Sequence, residues 1–161
     1  MQKACFPPVV APGATLLILG SLPGDASLQA GQYYAHPRNQ FWRLLEVPLG
    51  RPLAALDYAQ RLDALRAAGV GLWDVIASAN RRGSLDADIR ERRNNDLLAL
   101  IQSLPRLRAV AFNGGVAARA ASQLDSAALS RLALPSSSPA YTLPFEKKLE
   151  VWRQLSRYIE S

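Results

Sequence analysis

Cysteine and histidine are nearly missing from this chain, with Cys5 and His36 the only examples of each. One cysteine excludes an internal disulfide framework and any four-thiolate iron–sulfur cluster. One histidine excludes a His-rich zinc site and leaves a histidine-based triad only if His36 itself serves. Neither a metal nor another cofactor is therefore expected. Long apolar runs are also lacking. The run at 14–19 is too short to span a membrane, and Pro7, Pro8 and Pro12 interrupt what would otherwise pass for a signal sequence, so the expected setting is a reducing cytoplasm. No Gly-Lys-Ser/Thr follows the first glycine-rich turn and there is no Gly-x-Gly-x-x-Gly, which removes the P-loop and the dinucleotide fingerprint. Acidic residues are in deficit: 13 Asp and Glu face 19 Lys and Arg, a net charge of +6 that favours a polyanionic partner such as nucleic acid.

With 161 residues, 49% of them apolar, the chain suffices for one continuous core, so a single domain over 1–161 is expected, with a monomer as the default. Thr15-Leu16-Leu17-Ile18-Leu19, stopped by Gly20, predicts a strand buried on both faces. Similar runs fall at 70–75, 109–112 and 131–134. Helical patterns lie between them at 41–45, 58–68 (with Gly69 as the stop), 97–104 and 116–123. A last helix carries the stripe Phe145, Leu149, Trp152, Leu155 and Ile159. Strands alternating with helices predict an α/β fold whose parallel sheet is covered on both sides. Ligands gather beyond the carboxyl ends of such strands. Four Gly-, Ser- or Pro-rich loops follow them here, at 20–24, 74–83, 113–115 and 135–139.

Gly20-Ser21-Leu22-Pro23-Gly24 allows either a close approach of backbone to ligand or a plain turn. Residues 31–42 hold four aromatics, one histidine, one arginine and several amides, a mixture suited to stacking a flat base while offering polar contacts. Phe41 and Trp42 are expected in the core, Tyr34 and Asn39 in a functional loop. Trp73 suits core packing or a stacking surface. Asp74 can accept from a base N–H or cap a following helix. Arg81 and Arg82 precede the flexible Gly83-Ser84 and are phosphate candidates. Arg90, Arg92 and Arg93, interleaved with Asp86, Asp88 and Glu91, suggest a solvated, self-neutralising surface. Ser136, Ser137 and Ser138 between prolines suit a rigid clamp on a phosphate, or a linker.

Taken together, Gly20-Ser21-Leu22-Pro23-Gly24, Tyr34-Ala35-His36-Pro37-Arg38-Asn39-Gln40-Phe41-Trp42, Gly69-Val70-Gly71-Leu72-Trp73-Asp74-Val75, Phe112-Asn113-Gly114 and Leu134-Pro135-Ser136-Ser137-Ser138-Pro139 resemble, in order, the motifs of mismatch-specific uracil DNA glycosylases. Two positions depart from that pattern. Leu22 stands where those enzymes carry a water-orienting asparagine, and Leu134 stands where the late loop begins with a polar residue. Both departures, with Phe145-Glu146-Lys147-Lys148-Leu149-Glu150-x-Trp152, look like the hypoxanthine (deoxyinosine) branch of the uracil-DNA glycosylase superfamily.

The resemblance implies a three-layer α/β/α sandwich around a short parallel sheet, and a monofunctional glycosylase acting in base excision repair on damaged DNA, associated with the nucleoid while it works. It makes Asn39 the catalytic residue and puts Tyr34, Trp73 and Asp74 at the base; with the loop readings above, Ser21 and Leu22 join the base-binding set, and Pro23, Gly24, Arg82, Ser136, Ser137 and Ser138 are the expected DNA-binding residues. His36 is read as a structural hydrogen-bonder. The alternatives are a uracil or mixed uracil/hypoxanthine glycosylase, a non-catalytic lesion-binding protein of the same fold, and an α/β nucleotide-binding protein.

Overall fold

Leu16–Gly20 forms the strand at the centre of the molecule, β2, and every residue in it is buried. The computed structural model describes residues 2–124 and 129–159; residues 1, 125–128 and 160–161 of the expected domain lie outside the described residues. β2 pairs in parallel with β3 (Val70–Asp74) on one side and β6 (Ala109–Asn113) on the other. Outermost is β7 (Ser130–Leu134), giving the order β3-β2-β6-β7.

Alternate side chains of these strands enter two separate cores, as the period of two requires. Leu16, Ile18, Val70, Leu72, Ala109 and Ala111 join Phe41, Trp42, Leu44 and Leu45 of α2 (Phe41–Leu49), Leu65 of α3 (Tyr58–Ala67) and Trp152 of α6 (Phe145–Trp152). Leu17, Leu19, Val110 and Phe112 face the other way. They pack on Leu97 of α4 (Leu97–Gln102) and Ala117 of α5 (Gly115–Ala118). The parallel sheet is thus flanked by helices on both faces. α3 starts where Asp57 and Gln60 cap each other reciprocally and is followed by Gly69 at φ +76, the stop read from the sequence. The helix expected at 116–123 is shorter, giving way to a 3-10 segment at Arg119–Gln123, and the last helix likewise continues as 3-10 from Arg153 to Tyr158.

One expectation fails. The stretch 74–83 is not a loop, because β4 (Ile76–Arg81) follows β3 almost at once. It pairs antiparallel with β1 (Gln2–Ala4) and β5 (Ile89–Asn94), building a second sheet in the order β1-β4-β5. Ile76 and Ala79 are buried against the second core, and this burial outweighs the weak strand propensity of Ala-Ser-Ala-Asn. A short helix, α1 (Asp25–Ala30), leaves the first turn.

Candidate active site

In the parallel sheet, β3 and β6 leave β2 on opposite sides, so the order reverses between β2 and β6, and a crevice opens beyond their carboxyl ends. A cavity of about 540 Å³ lies there, lined from the first turn (Gly20 to Gly24), Tyr34, His36, Asn39, Asp74, Asn113, Ser136, Ser137, Ser138, Tyr141 and residues 84–87. That size lies within the range of small-molecule sites.

The fold carries each of these groups to the crevice for a local reason. Gly20 ends β2 beside Asp74 of β3, and a Cβ on Gly20 would stand 2.7 Å from Asp74 Oδ1 and 2.8 Å from the Tyr34 hydroxyl. Only glycine leaves room for both. Tyr34 has φ +54, a left-handed conformation that costs a non-glycine residue about 1–2 kcal/mol. Its neighbours hold it there: the Tyr33 hydroxyl donates to Pro7 O (3.0 Å), and Ala35 N donates to Ser27 Oγ (3.0 Å). The Tyr34 ring stacks on Phe41, centroids 3.9 Å apart and planes 11° apart, so a buried core ring backs one of its faces.

Asn39 Oδ1 accepts from Phe41 N (3.0 Å) at the start of α2, which fixes the amide and leaves a second lone pair on the same oxygen. His36 Nδ1 accepts from Arg38 N (3.1 Å). Asn113 grips the serine loop, its Oδ1 accepting from Ser137 N and its Nδ2 donating to Ser137 Oγ, both at 2.9 Å. From the other side, Gln40 N donates to Ser137 O (2.9 Å) and Lys148 Nζ donates to Gln40 Oε1 (2.8 Å) and Ser138 O (3.2 Å).

Asp74 dominates the electrostatics. It is 3% exposed, its Oδ2 has no hydrogen-bond partner, and its pKa is pushed up from 3.8 to about 7. Burial is the main cause, the nearby Asp86 carboxylate adds to it, and Arg81 offsets part. Burial and then Asp74 push the Tyr34 hydroxyl above its ordinary range, while the Asn113 amide pulls it back somewhat. The helix-capping reading of Asp74 falls away, since a strand follows it.

Of the residues singled out in the sequence, Ser21, Leu22, Pro23, Gly24, Tyr34, Asn39, Asp74, Ser136, Ser137 and Ser138 converge on the cavity. Trp73 does not. Its indole Nε1 donates to Phe6 O (3.0 Å) and its ring packs beside the second core, so the expected contact with a base is replaced by a structural one. Ser137 is 1% exposed with both its N–H and hydroxyl bound to Asn113, so it builds the clamp without presenting its own hydroxyl. Leu22 is buried in the second core. Arg82 is exposed beside the lining, whereas Arg81 is not a phosphate ligand at all. Arg81 is 2% exposed and its guanidinium binds Leu22 O, Pro23 O and Gly83 O, closing the first turn onto the β4–β5 connection.

Several residues of the site went unread. Asn113 lies in the Phe112-Asn113-Gly114 motif, but its grip on Ser137 depends on a contact 24 residues away that local sequence does not disclose. Lys148 lies three residues after Phe145 and four before Trp152, on the apolar stripe of α6, and a lysine on that stripe was the available signal. Among the described residues no helix is long and apolar enough to cross a membrane, and no group of three or more His, Cys, Asp or Glu stands together as a metal site.

Comparison with known proteins agrees with this geometry. The profile of the uracil DNA glycosylase superfamily matches residues 7–156. A hypoxanthine DNA glycosylase of Methanosarcina barkeri is 45% identical over 114 residues, which cover 71% of this chain and 72% of that protein. Another of that name, from Methanosarcina acetivorans, is 36% identical over 158 residues, 98% of this chain and 100% of the relative. A solution NMR structure from Methanosarcina acetivorans, provisionally titled a uracil DNA glycosylase, superposes with a TM-score of 0.89 at 36% identity, covering 98% of each chain. The crevice at the switch point, the order of the motifs and the matched length place this chain in the uracil DNA glycosylase superfamily.

Proposed function

We propose that the chain is a monofunctional DNA glycosylase that hydrolyses the N-glycosidic bond of hypoxanthine in DNA, and that its partner is therefore DNA carrying a deaminated base. The buried carboxylate oxygen of Asp74, unpartnered and in the cavity lining, carries this reading. Deaminated bases present an N–H beside a carbonyl oxygen, whereas adenine presents a lone pair at the corresponding ring nitrogen. An ionised Asp74 accepts from that N–H. A protonated one donates to the carbonyl, where negative charge collects as the base departs. With a pKa near 7, both forms are available at neutral pH.

The remaining groups take consistent parts. Extruding the base from the duplex costs a few kcal/mol, and stacking on the face of Tyr34 away from Phe41 returns about 1–3 kcal/mol. Asn39, held by Phe41 N, uses its second lone pair to orient a water toward the sugar carbon. The amide need not be a strong base, because the oxocarbenium-like sugar is itself a strong electrophile. Leu22 cannot do this work. Excision of uracil as well is favoured by the same Asp74 oxygen, since uracil carries the same N–H and carbonyl pair.

Incubation with oligonucleotides containing hypoxanthine, uracil or xanthine, followed by alkali, tests the reading: hypoxanthine strands are expected to break. Asn39→Ala is expected to lose at least a hundredfold in single-turnover rate with much less change in binding, because its contact forms mainly in the transition state. Absence of alkali-labile sites with all three bases, alongside tight lesion binding, would establish a non-catalytic lesion binder instead.

A further inference from the structure

Arg90 and Arg93 are three residues apart in β5, a spacing that puts side chains on opposite faces of a regular strand. Here they share one. Arg90 lies opposite Asn80 and Arg93 opposite Ser78, with a register shift between, and residues directly opposite in an antiparallel pair point to the same side. The extra residue is absorbed around Glu91, whose φ of +53 is left-handed without being glycine. A bulge of this kind re-aims side chains, and a strained one persists only where its surroundings impose it.

The face so populated is the outer one of the second sheet. β1 contributes Gln2 and Ala4 opposite Asn80 and Ser78, and both are exposed, as are Arg90 and Arg93. The inner face carries the buried Ile76 and Ala79. Among the described residues no carboxylate forms an ion pair with Arg90 or Arg93, although the interleaved charges predicted a self-neutralising surface, and Glu91 shares the face only through Asn80. Glu91 accepts from Asn80 Nδ2 (2.7 Å) and Asp86 accepts from Ser21 Oγ (2.7 Å). Arg90 is braced by carbonyls alone, donating to Ala87 O (2.9 Å) and Ile89 O (2.8 Å). Residues 84–87, which join β4 to β5, line the cavity, so this face begins at its rim. Two exposed guanidinium groups without an ion pair on one sheet face offer donors suited to phosphate oxygens.

We propose that the outer face of β1-β4-β5, through Arg90 and Arg93, holds the phosphate backbone of duplex DNA beside the excised base. The inference rests on the glycosylase reading for the identity of its ligand. The partners Ser78 and Asn80 are two residues apart, which sets the Cα atoms of the two arginines about 7 Å apart and lets both side chains reach one strand's backbone.

The test is binding of the full chain to a fluorescent undamaged duplex and to its single strand across a salt series, with wild-type excision of hypoxanthine measured in parallel. Arg90→Ala/Arg93→Ala is expected to reduce the slope of log Kd against log salt by about 1.8 on duplex, and Arg93→Ala alone by about 0.9. Among the described residues the Arg93 side chain makes no hydrogen bond, unlike that of Arg90, so the single variant guards against a folding defect. Arg51→Ala/Arg66→Ala, equal in charge and set around α3 on the other side of the parallel sheet, is expected to keep the wild-type slope. An unchanged slope in the hairpin variants overturns the proposal, as does an equal fall in the α3 control, which would mean net charge alone, or a fall confined to the single strand. Wild-type excision with an unchanged slope sinks this inference only. A reduced slope without excision sinks the glycosylase reading and leaves the surface standing.

Discussion

Replacing Asp74 by asparagine separates stability from chemistry. The carboxyl is 3% exposed and its pKa rises from 3.8 to about 7 on folding, so the folded chain holds this proton more tightly than the unfolded one. Stability from this group is therefore greatest at low pH and is lost as pH rises from about 4 through about 7, the reverse of a salt-bridged aspartate. The full shift corresponds to about 4 kcal/mol, and about 3 kcal/mol of it falls between pH 5 and pH 8.5. At roughly 2–4 °C per kcal/mol for a chain of this size, wild type should lose about 6–12 °C of Tm relative to Asp74→Asn between those pH values. The assay is thermal unfolding of both proteins across that range, with excision of hypoxanthine on the same samples. Excision by the variant should fall roughly ten- to hundredfold, the cost of a lost charge-assisted contact to the base. Parallel Tm profiles would refute the titration, and wild-type excision by Asp74→Asn would refute the contact.

Tyr34→Phe should excise at close to the wild-type rate and Tyr34→Ala should lose at least tenfold, since only the ring face is required; equal losses would implicate the hydroxyl instead. Gly20→Ala should cost about 1–3 kcal/mol in urea unfolding and also depress excision, because the methyl displaces both Asp74 and Tyr34. A stable, fully active Gly20→Ala would mean that neither group needs its present place. Excision should survive EDTA, given the single Cys and single His; reversible loss would contradict the mechanism.

The parallel sheet was legible because Leu16, Leu17, Ile18 and Leu19 are covered on both faces and so form an unbroken apolar run. The antiparallel sheet was not, because β4 is half polar and its partner β1 is only three residues long; neither carries a pattern that stands out without the other. Legibility of the site followed the same division. Glycine, proline and amide clusters announced the turn at 20–24 and the segment holding Tyr34 and Asn39, since their types are unusual in a core. Roles that depend on long-range placement stayed hidden. Arg81 looked like a free cation until Leu22 and Pro23 were seen folded over it, and Trp73 became structural because Phe6 O receives its N–H.

The clasp made by Arg81 bears on how lesions are found. One buried guanidinium ties the Leu22-Pro23 turn to Gly83, and Lys3 adds a second tie by binding both Asp25 and Gly83 O. Two jaws of the crevice are thereby welded into a single block. A fixed pair of walls favours a base that arrives already loosened from the opposite strand, since extrusion costs least for a mispaired or damaged base. A weakly held mispair then offers itself to such a site more often than a tightly held pair.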